Sequence, residues 1–350
     1  MKHFLVIITL SMTVVFGCKP EDAQIKKDVP KEEMERIFQE IKTPYKYGIV
    51  LQHPDSTKMV DSPTVFREND RWYMTYIVFD GHGYETWIAE SEDLLTWESK
   101  GKILSFTENT WDATQKAGYV SLVNINWGGD YSVEKYQNRY WMSYLGGNKA
   151  GYEAGTLKIG MATSSTLIES KEWTTNNSPL LSPEDDDVRW FENATIYKSL
   201  VIRDSSEHTG YPFVMYYNAK GDTADYESIA MAVSDDMQNW KRYGENPVIT
   251  KGAGISGDAQ IAKIGEIYVM FYFGAFWKPG AFERFACSYD LIHWKDWEGE
   301  DLVASSEPYD KQYAHKPWVI KWNGVVYHFY NAVGDSGRVI ALATSEDLTD

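Results

Sequence analysis

The sequence predicts an all-β chain: a five-bladed β-propeller of four-stranded antiparallel blades, closed by an N-terminal strand that joins the last blade. Three observations predict it. One strand pattern recurs five times along the 350 residues. Each copy carries further short strands at a similar spacing, and four strands per repeat of this length is a propeller signature. An unpaired strand of the same type precedes the first copy, while the last copy ends without its fourth strand.

Each copy opens with an acidic residue or a histidine at the head of a short strand, and a second, aromatic-rich strand follows. The copies read DSPTVFRENDRWYMTY from Asp61, DYSVEKYQNRYWMSY from Asp130, ENATIYKSLVIRD with YPFVMYY from Glu192, DAQIAKIGEIYVMFY from Asp258 and HKPWVIKWNGVVYHFY from His315. The intervals between these openings are 69, 62, 66 and 57 residues. A third strand follows in each copy (ETWIAES, LKIGMATS, ESIAMAVS, RFACS, RVIALATS), and short fourth runs KILS, PLLS, PVIT and LVAS come after. Alternation and β-branched or aromatic enrichment make these strands rather than helices. The orphan is GIVL, Gly48 to Leu51. Joining it to the last blade hides an edge that would otherwise stay unpaired.

Ahead of the repeats, Met1 to Gly17 has a basic start and an apolar run, which reads as a signal peptide. Cys18 follows in a lipobox-like setting, so the sequence predicts an exported lipoprotein anchored in the membrane through lipidated Cys18. Residues 18–44 read as a tether with a short helix near Glu32 to Ile41, and residues 45–350 as the propeller domain. Cys287 is the only other cysteine. No disulfide framework is available, and Cys287 within FACSYD reads as a buried, inert thiol.

The formal net charge of −17 argues against nucleic acid as a partner, because a phosphate backbone calls for clustered Lys and Arg. Aromatic residues are abundant, with 14 Trp, 24 Tyr and 14 Phe. They suit stacking on sugar faces as well as core packing.

In a propeller the first strand of every blade lines the axis, so Asp61, Asp130, Glu192, Asp258 and His315 are predicted to ring one end of a central funnel. Crowded carboxyl groups raise each other's pKa. Turn capping explains any single one of them, but turn chemistry would equally accept Asn, Ser or Gly in all five places. The repeated pairs Tyr84-Glu85, Tyr152-Glu153, Tyr226-Glu227 and Phe282-Glu283 precede the third strands and read as scaffold. The stretch between Ile103 and Asp130 is longer than its counterparts and reads as a pocket-shaping loop. It carries Trp111, Asp112, Gln115 and Trp127.

With these residues in view, the chain from about Tyr47 onward resembles the five-bladed propeller glycosidases of glycoside hydrolase family 43 and the related family 117. The match at Asp61-Ser62-Pro63 implies that Asp61 is the catalytic base. Family 43 carries a supporting Asp on the third blade and a Glu acid on the fourth, whereas here Glu192 and Asp258 exchange identities. Family 117 implies instead that Asp258 supports a histidine acid, His315. The acid is therefore either Glu192 or His315. The resemblance implies hydrolysis of poly- or oligosaccharides by acid/base catalysis, inverting, at the cell envelope, with no required cofactor. A family-43-like arrangement also allows a central Ca2+ or other cation near His315. Asp130, Trp111, Trp127, Trp190, Trp277, Trp318 and Lys316 are the expected substrate-binding residues. The alternatives are a non-catalytic carbohydrate-binding propeller, a protein-interaction propeller, or a phosphorolytic enzyme like family 130. The last needs a cationic cluster, for which Lys316, Arg189 and Arg284 are the candidates.

Overall fold

In a computed structural model, residues 28–169, 173–223 and 226–349 are described. The expected signal peptide and Cys18 lie outside them. The chain is all-β, 51% strand and 3% helix.

One helix, α1 (Lys31–Ile41), opens the described chain and is followed by β1 (Tyr45–Leu51). Four groups of antiparallel strands come next. They are β2 (Met59–Glu68), β3 (Arg71–Phe79), β4 (Tyr84–Ser91) and β5 (Glu98–Leu104); then β6 (Gln115–Val120), β7 (Tyr140–Gly147), β8 (Lys158–Ser164) and β9 (Thr174–Thr175); then β10 (Thr195–Arg203), β11 (Phe213–Lys220), β12 (Tyr226–Ser234) and β13 (Trp240–Arg242); then β14 (Gly254–Ile264), β15 (Ile267–Ala275), β16 (Ala281–Ser288), β17 (Lys295–Asp296) and β18 (Val303–Ala304). The last group is β19 (Tyr313–Trp322), β20 (Val325–Gly334) and β21 (Gly337–Thr344), with β1 added antiparallel to β21 so that Ile49 faces Ala341.

Hydrogen bonds gather these strands into sheets of eight, nine and four strands, none of them closed. The two larger sheets arise where the third strand of one group meets the first of the next in parallel, at Tyr84 with Gln115 and at Tyr226 with Gly254.

The sequence reading of the second repeat needs correction. Its first strand is β6, Gln115–Val120, so the segment between Ile103 and Asp130 is not a pocket-shaping loop but contains a central strand. Asp130 follows that strand, exposed in a turn where it accepts hydrogen bonds from Asn124 and Ser132. The repeat pattern does not mark β6 because QKAGYV is small and polar at its head, without the acidic opening of its counterparts.

A repeated tyrosine ties neighbouring elements together. The last tyrosine of each second strand buries its ring and gives its hydroxyl a partner: Tyr76 shares a hydrogen bond with Ser99, while Tyr144 donates to Asp112, Tyr217 to Glu192, Tyr272 to Asp296 and Tyr330 to Asp310. Buried hydroxyls need such partners.

Helix α1 puts Met34, Ile37 and Ile41 against Ala262, Ile264, Phe271, Phe285 and the buried Cys287. From Val29 onward, the segment read as a tether is thus packed on the sheets. Burial pushes the Cys287 thiol up to about 12. Glu40 on the helix accepts from Lys321 and from the Trp127 indole. These contacts lie at the C-terminal ends of β14 and β19.

Candidate active site

The N-terminal halves of the first strands converge. β2, β10, β14 and β19 each slip register against their partner: between Asp61 and Thr64, Tyr197 and Ser199, Gly257 and Gln260, and His315 and Trp318. At each slip one residue adopts a positive φ: Ser62 at 49°, Lys198 at 32°, Asp258 at 56° and Lys316 at 63°. A bulge re-aims a side chain, and strained non-glycine backbone of this kind gathers at functional sites. All four of these residues line one small chamber, with Ala117 and Tyr119 from the unbulged β6. The chamber lies beside an open pocket of about 240 Å³, and the two share Glu153, Tyr197, Asp258 and Lys316.

Asp61 is buried at the chamber wall. Its Oδ2 accepts from Lys316 Nζ at 3.1 Å and from Arg338 Nη1 at 2.6 Å, and Ser62 donates to its Oδ1. Burial alone would raise its pKa, but Lys316, Arg338 and His315 hold it far below the usual carboxylate range. Burial likewise opposes charge on Lys316, yet Asp61 leads a set of anionic neighbours that keep it firmly protonated.

Asp258 and Asn218 exchange two hydrogen bonds: the Asn218 amide donates to Asp258 Oδ1 at 2.7 Å, and the Asp258 backbone N–H donates to Asn218 Oδ1 at 2.8 Å. A β-carbon at Gly257 would meet the Asn218 amide at 2.7 Å, so glycine is what lets Asn218 approach. The second oxygen, Asp258 Oδ2, is buried without a partner.

His315 faces the pocket, with its Nδ1 3.0 Å from the Asn331 carbonyl. Burial, then the charges of Arg338 and Lys316, push its pKa down to about 3. A neutral imidazole near neutral pH is a poor general acid. Nor do its surroundings suit a cation, since Lys316 and Arg338 flank it and no group of three or more His, Cys, Asp or Glu able to hold a metal exists among the described residues.

Glu192 is not brought to this site. It is fully buried in another cluster, where Arg189 Nη2 bonds its Oε2 at 2.9 Å, Arg242 Nε its Oε1 at 2.6 Å, and Tyr217 its Oε2. Burial opposes its charge, but Arg189 lowers its pKa. The reading of Glu192 as a ring residue is corrected by its position. It stands three residues before β10, as Asp112 stands before β6 and Asp310 before β19, and all three are tyrosine acceptors. Asp61 and Asp258 lie inside their strands, so the two kinds of acid are not equivalent.

The repeated aromatic-Glu pairs also divide. Glu85 bonds Lys102 and Ser105, and Glu283 bonds His328, so these two serve the scaffold as expected. Glu153 and Glu227 instead line the pocket, which corrects the scaffold reading for them. Glu153, with φ 48°, is a pocket-lining residue exposed to solvent. Protein packed around its carboxyl raises its pKa, and Asp61 and Asp258 add to that against the opposing charge of Lys316. Glu227 accepts from the Tyr197 hydroxyl. Burial raises its pKa, and the negative charge of Glu153 pushes the same way.

Of the aromatic residues expected to bind sugar, none lines the pocket. Trp111 stacks on Tyr144, Trp127 bonds Glu40, Trp318 is buried with its N–H on the Val65 carbonyl, and Trp277 bonds the Ile255 carbonyl. Trp190 is 50% exposed beside Phe191. The pocket's own rings include Tyr152, Tyr197, Tyr313, Phe273, Phe276 and His315, and Phe276 is 63% exposed.

No family model matches the sequence, nor does any curated protein sequence. Among solved structures, a "Glycoside hydrolase" is 46% identical, with a TM-score of 0.88 over 92% of this chain and 97% of that one. The chain belongs to the glycoside hydrolases. A second structure, a complex of BT0996 with RGII, is also 46% identical, with a TM-score of 0.89 over the same shares. A thermostable family-43 glycoside hydrolase shares the propeller-type fold at 16% identity and a TM-score of 0.60, covering 84% of this chain and 92% of that one. For this glycoside hydrolase, the carboxyl groups around the pocket are accordingly the candidates for cleaving a glycosidic bond.

Proposed function

We propose that this glycosidase cleaves its substrate with Glu153 as general acid and Glu227 as the partner carboxylate. One observation carries the assignment: these two glutamates, from different strand groups, face one pocket with both pKa values raised. Glycoside hydrolysis needs such a pair, one group protonated and one ionised. The Tyr197 hydroxyl stabilises the ionised form of Glu227, whereas Asp61 and Asp258 favour the protonated form of Glu153. Asp61, proposed from the sequence as the base, is held too acidic by its two cations to take a proton readily. We place it as a fixed charge that positions Lys316 and Arg338.

On the inverting reading carried over from the sequence, Glu227 activates a water while Glu153 protonates the leaving oxygen. A covalent glycosyl-enzyme at Glu227 would replace that reading, and NMR of the first-formed anomer separates the two. We also propose a five-bladed propeller closed by β1. Its support is that β2, β6, β10, β14 and β19 all line one chamber and that β1 pairs with β21.

The substrate we propose is an RGII-type oligosaccharide, because one of the 46% identical structures is a complex with RGII. Phosphorolysis is disfavoured, since Arg189 is held by Glu192 and Arg284 by Asp301, away from Lys316. Lipid anchorage at the cell envelope remains part of the proposal. It fits the packing of α1 at the strand ends opposite the pocket. The test is incubation with RGII oligosaccharides and chromatography of the products. A released monosaccharide supports the reading; no release from them, nor from a panel of aryl glycosides, would sink it.

A further inference from the structure

The chamber beside the pocket has a volume of about 20 Å³, room for a single oxygen atom such as that of one water. Two of its polar side chains are nine-tenths or more buried and lack a hydrogen-bond partner for the group they present. Asp258 is 2% exposed, with Oδ2 unpartnered. Lys198 is 5% exposed, and its ammonium lies 4.3 Å above the Tyr119 ring with no hydrogen bond or ion pair to any acceptor among the described residues. A buried acceptor and a buried donor left open are each costly unless something completes them. Both stand on bulged, positive-φ backbone, so the fold holds strain at the two positions that face this space.

We propose that the chamber is a socket for one free hydroxyl of the sugar in the pocket, which donates to Asp258 Oδ2 and accepts from Lys198 Nζ. The proposal rests on the hydrolase reading above and adds a specificity determinant to it. One hydroxyl both donates and accepts, which matches this pair. A water in the empty socket satisfies the same two groups and leaves when the sugar enters. A methyl ether or a glycosidic substituent on that oxygen exceeds the available volume and cannot donate. The sugar must therefore present an unsubstituted hydroxyl at its buried end.

From the other elements, the titratable groups that line the chamber with Lys198 are Asp61 on β2, Tyr84 on β4, Tyr119 on β6, Glu153 ahead of β8, Asp258 on β14 and Lys316 on β19. Burial foremost pushes the Lys198 pKa down to about 8, with Lys316 acting the same way and Asp258 and Asp61 opposing. The donor is a full ammonium below that pH and loses its charge above it.

The test uses the full-length protein, wild type and Lys198→Met, on the 4-nitrophenyl glycoside that wild type cleaves fastest among arabinofuranoside, xyloside and galactoside. Monodeoxy and mono-O-methyl derivatives of that glycoside complete the set. In wild type, one deoxy position lowers kcat/KM by about 10- to 100-fold, the loss of a hydrogen bond to a charged group. The O-methyl derivative at that position is not turned over. In Lys198→Met the deoxy penalty shrinks to a few-fold, and the rise of KM above pH 8 seen in wild type disappears. An equal deoxy penalty in both proteins would overturn the socket, as would wild type accepting the O-methyl derivative at every position. A folded wild type that cleaves none of the glycosides and releases nothing from RGII oligosaccharides would overturn the hydrolase reading itself and the socket with it. If Lys198→Met does not fold, Asp258→Asn is measured against the same derivatives, with the same two outcomes.

Discussion

Arg338 donates to Asp61 Oδ2 at 2.6 Å, joining the strand that closes the described chain to the first strand of the first group, 277 residues away. With Lys316 at 3.1 Å on the same oxygen, this makes Asp61 a permanently charged node between the two ends of the fold. Replacing it by Asn leaves two buried cations without their counter-charge. Breaking such a pair costs about 3–5 kcal/mol. Asp61→Asn is therefore expected to lower the thermal unfolding midpoint as well as turnover. The folded pKa is depressed, so the stability contributed by Asp61 is in full above pH about 4 and is lost only as pH falls below that. Unfolding midpoints of wild type and variant, compared between pH 3 and 7, check this: the gap should narrow toward pH 3.

Glu153→Gln is expected to lower kcat by about 100-fold or more on substrates with poor leaving groups, the usual scale of acid catalysis. Activated aryl glycosides, which need little protonation, should suffer far less. The alkaline limb of the wild-type pH profile reports loss of the Glu153 proton, and its raised pKa places that limb above the ordinary glutamate range. Kinetics across pH with both substrate types measures it, and the limb should be absent in the variant.

His315 gives no limb near 6.5, because the folded protein keeps its imidazole neutral down to about pH 3. It bears instead on stability. The unfolded state binds the proton first, so stability is complete above pH about 6.5 and falls as pH drops toward 3, by up to about 1.4 kcal/mol per pH unit. In His315→Gln, denaturant unfolding at pH 7 and pH 4.5 should show a smaller acid-induced loss than in wild type.

Glu192→Gln tests the scaffold assignment. Two arginines and Tyr217 lose their shared charged acceptor, so the unfolding midpoint should fall by several degrees. The protein that remains folded should keep the wild-type KM, since this cluster does not line the pocket.

Phe276 tests the binding surface. Its ring is 63% exposed at the pocket, so Phe276→Ala is expected to leave stability within about 0.5 kcal/mol of wild type. The KM should rise several-fold as a stacking face is lost.

The repeated second and third strands are legible in the sequence because aromatic and β-branched runs mark them in every group. The central strands are legible where an acid or histidine lies within or just ahead of them, as with Asp61, Asp258, His315 and Glu192. Glu192 has the same residue type but sits three residues ahead of its strand, and that offset, shared with Asp112 and Asp310, is the signal that separates a tyrosine acceptor from a pocket residue. Strand β6 carries neither mark and so reads as a loop. Regularity misleads at Glu153 and Glu227: four similar pairs look like one structural device, yet Glu85 bonds Lys102 and Ser105, Glu283 bonds His328, and the other two face the pocket. Lys198 gives no signal at all, because its placement depends on a bulge that the strand pattern does not encode.

The glutamate pair is tested most directly by the turnover of Glu227→Gln on RGII oligosaccharides or on the glycoside that wild type cleaves best. The substitution keeps the side-chain shape and relieves a buried charge, so the unfolding midpoint should not fall. Catalysis through Glu227 predicts a loss of kcat of at least about 1,000-fold in a protein as stable as wild type. Activity within tenfold of wild type would contradict it.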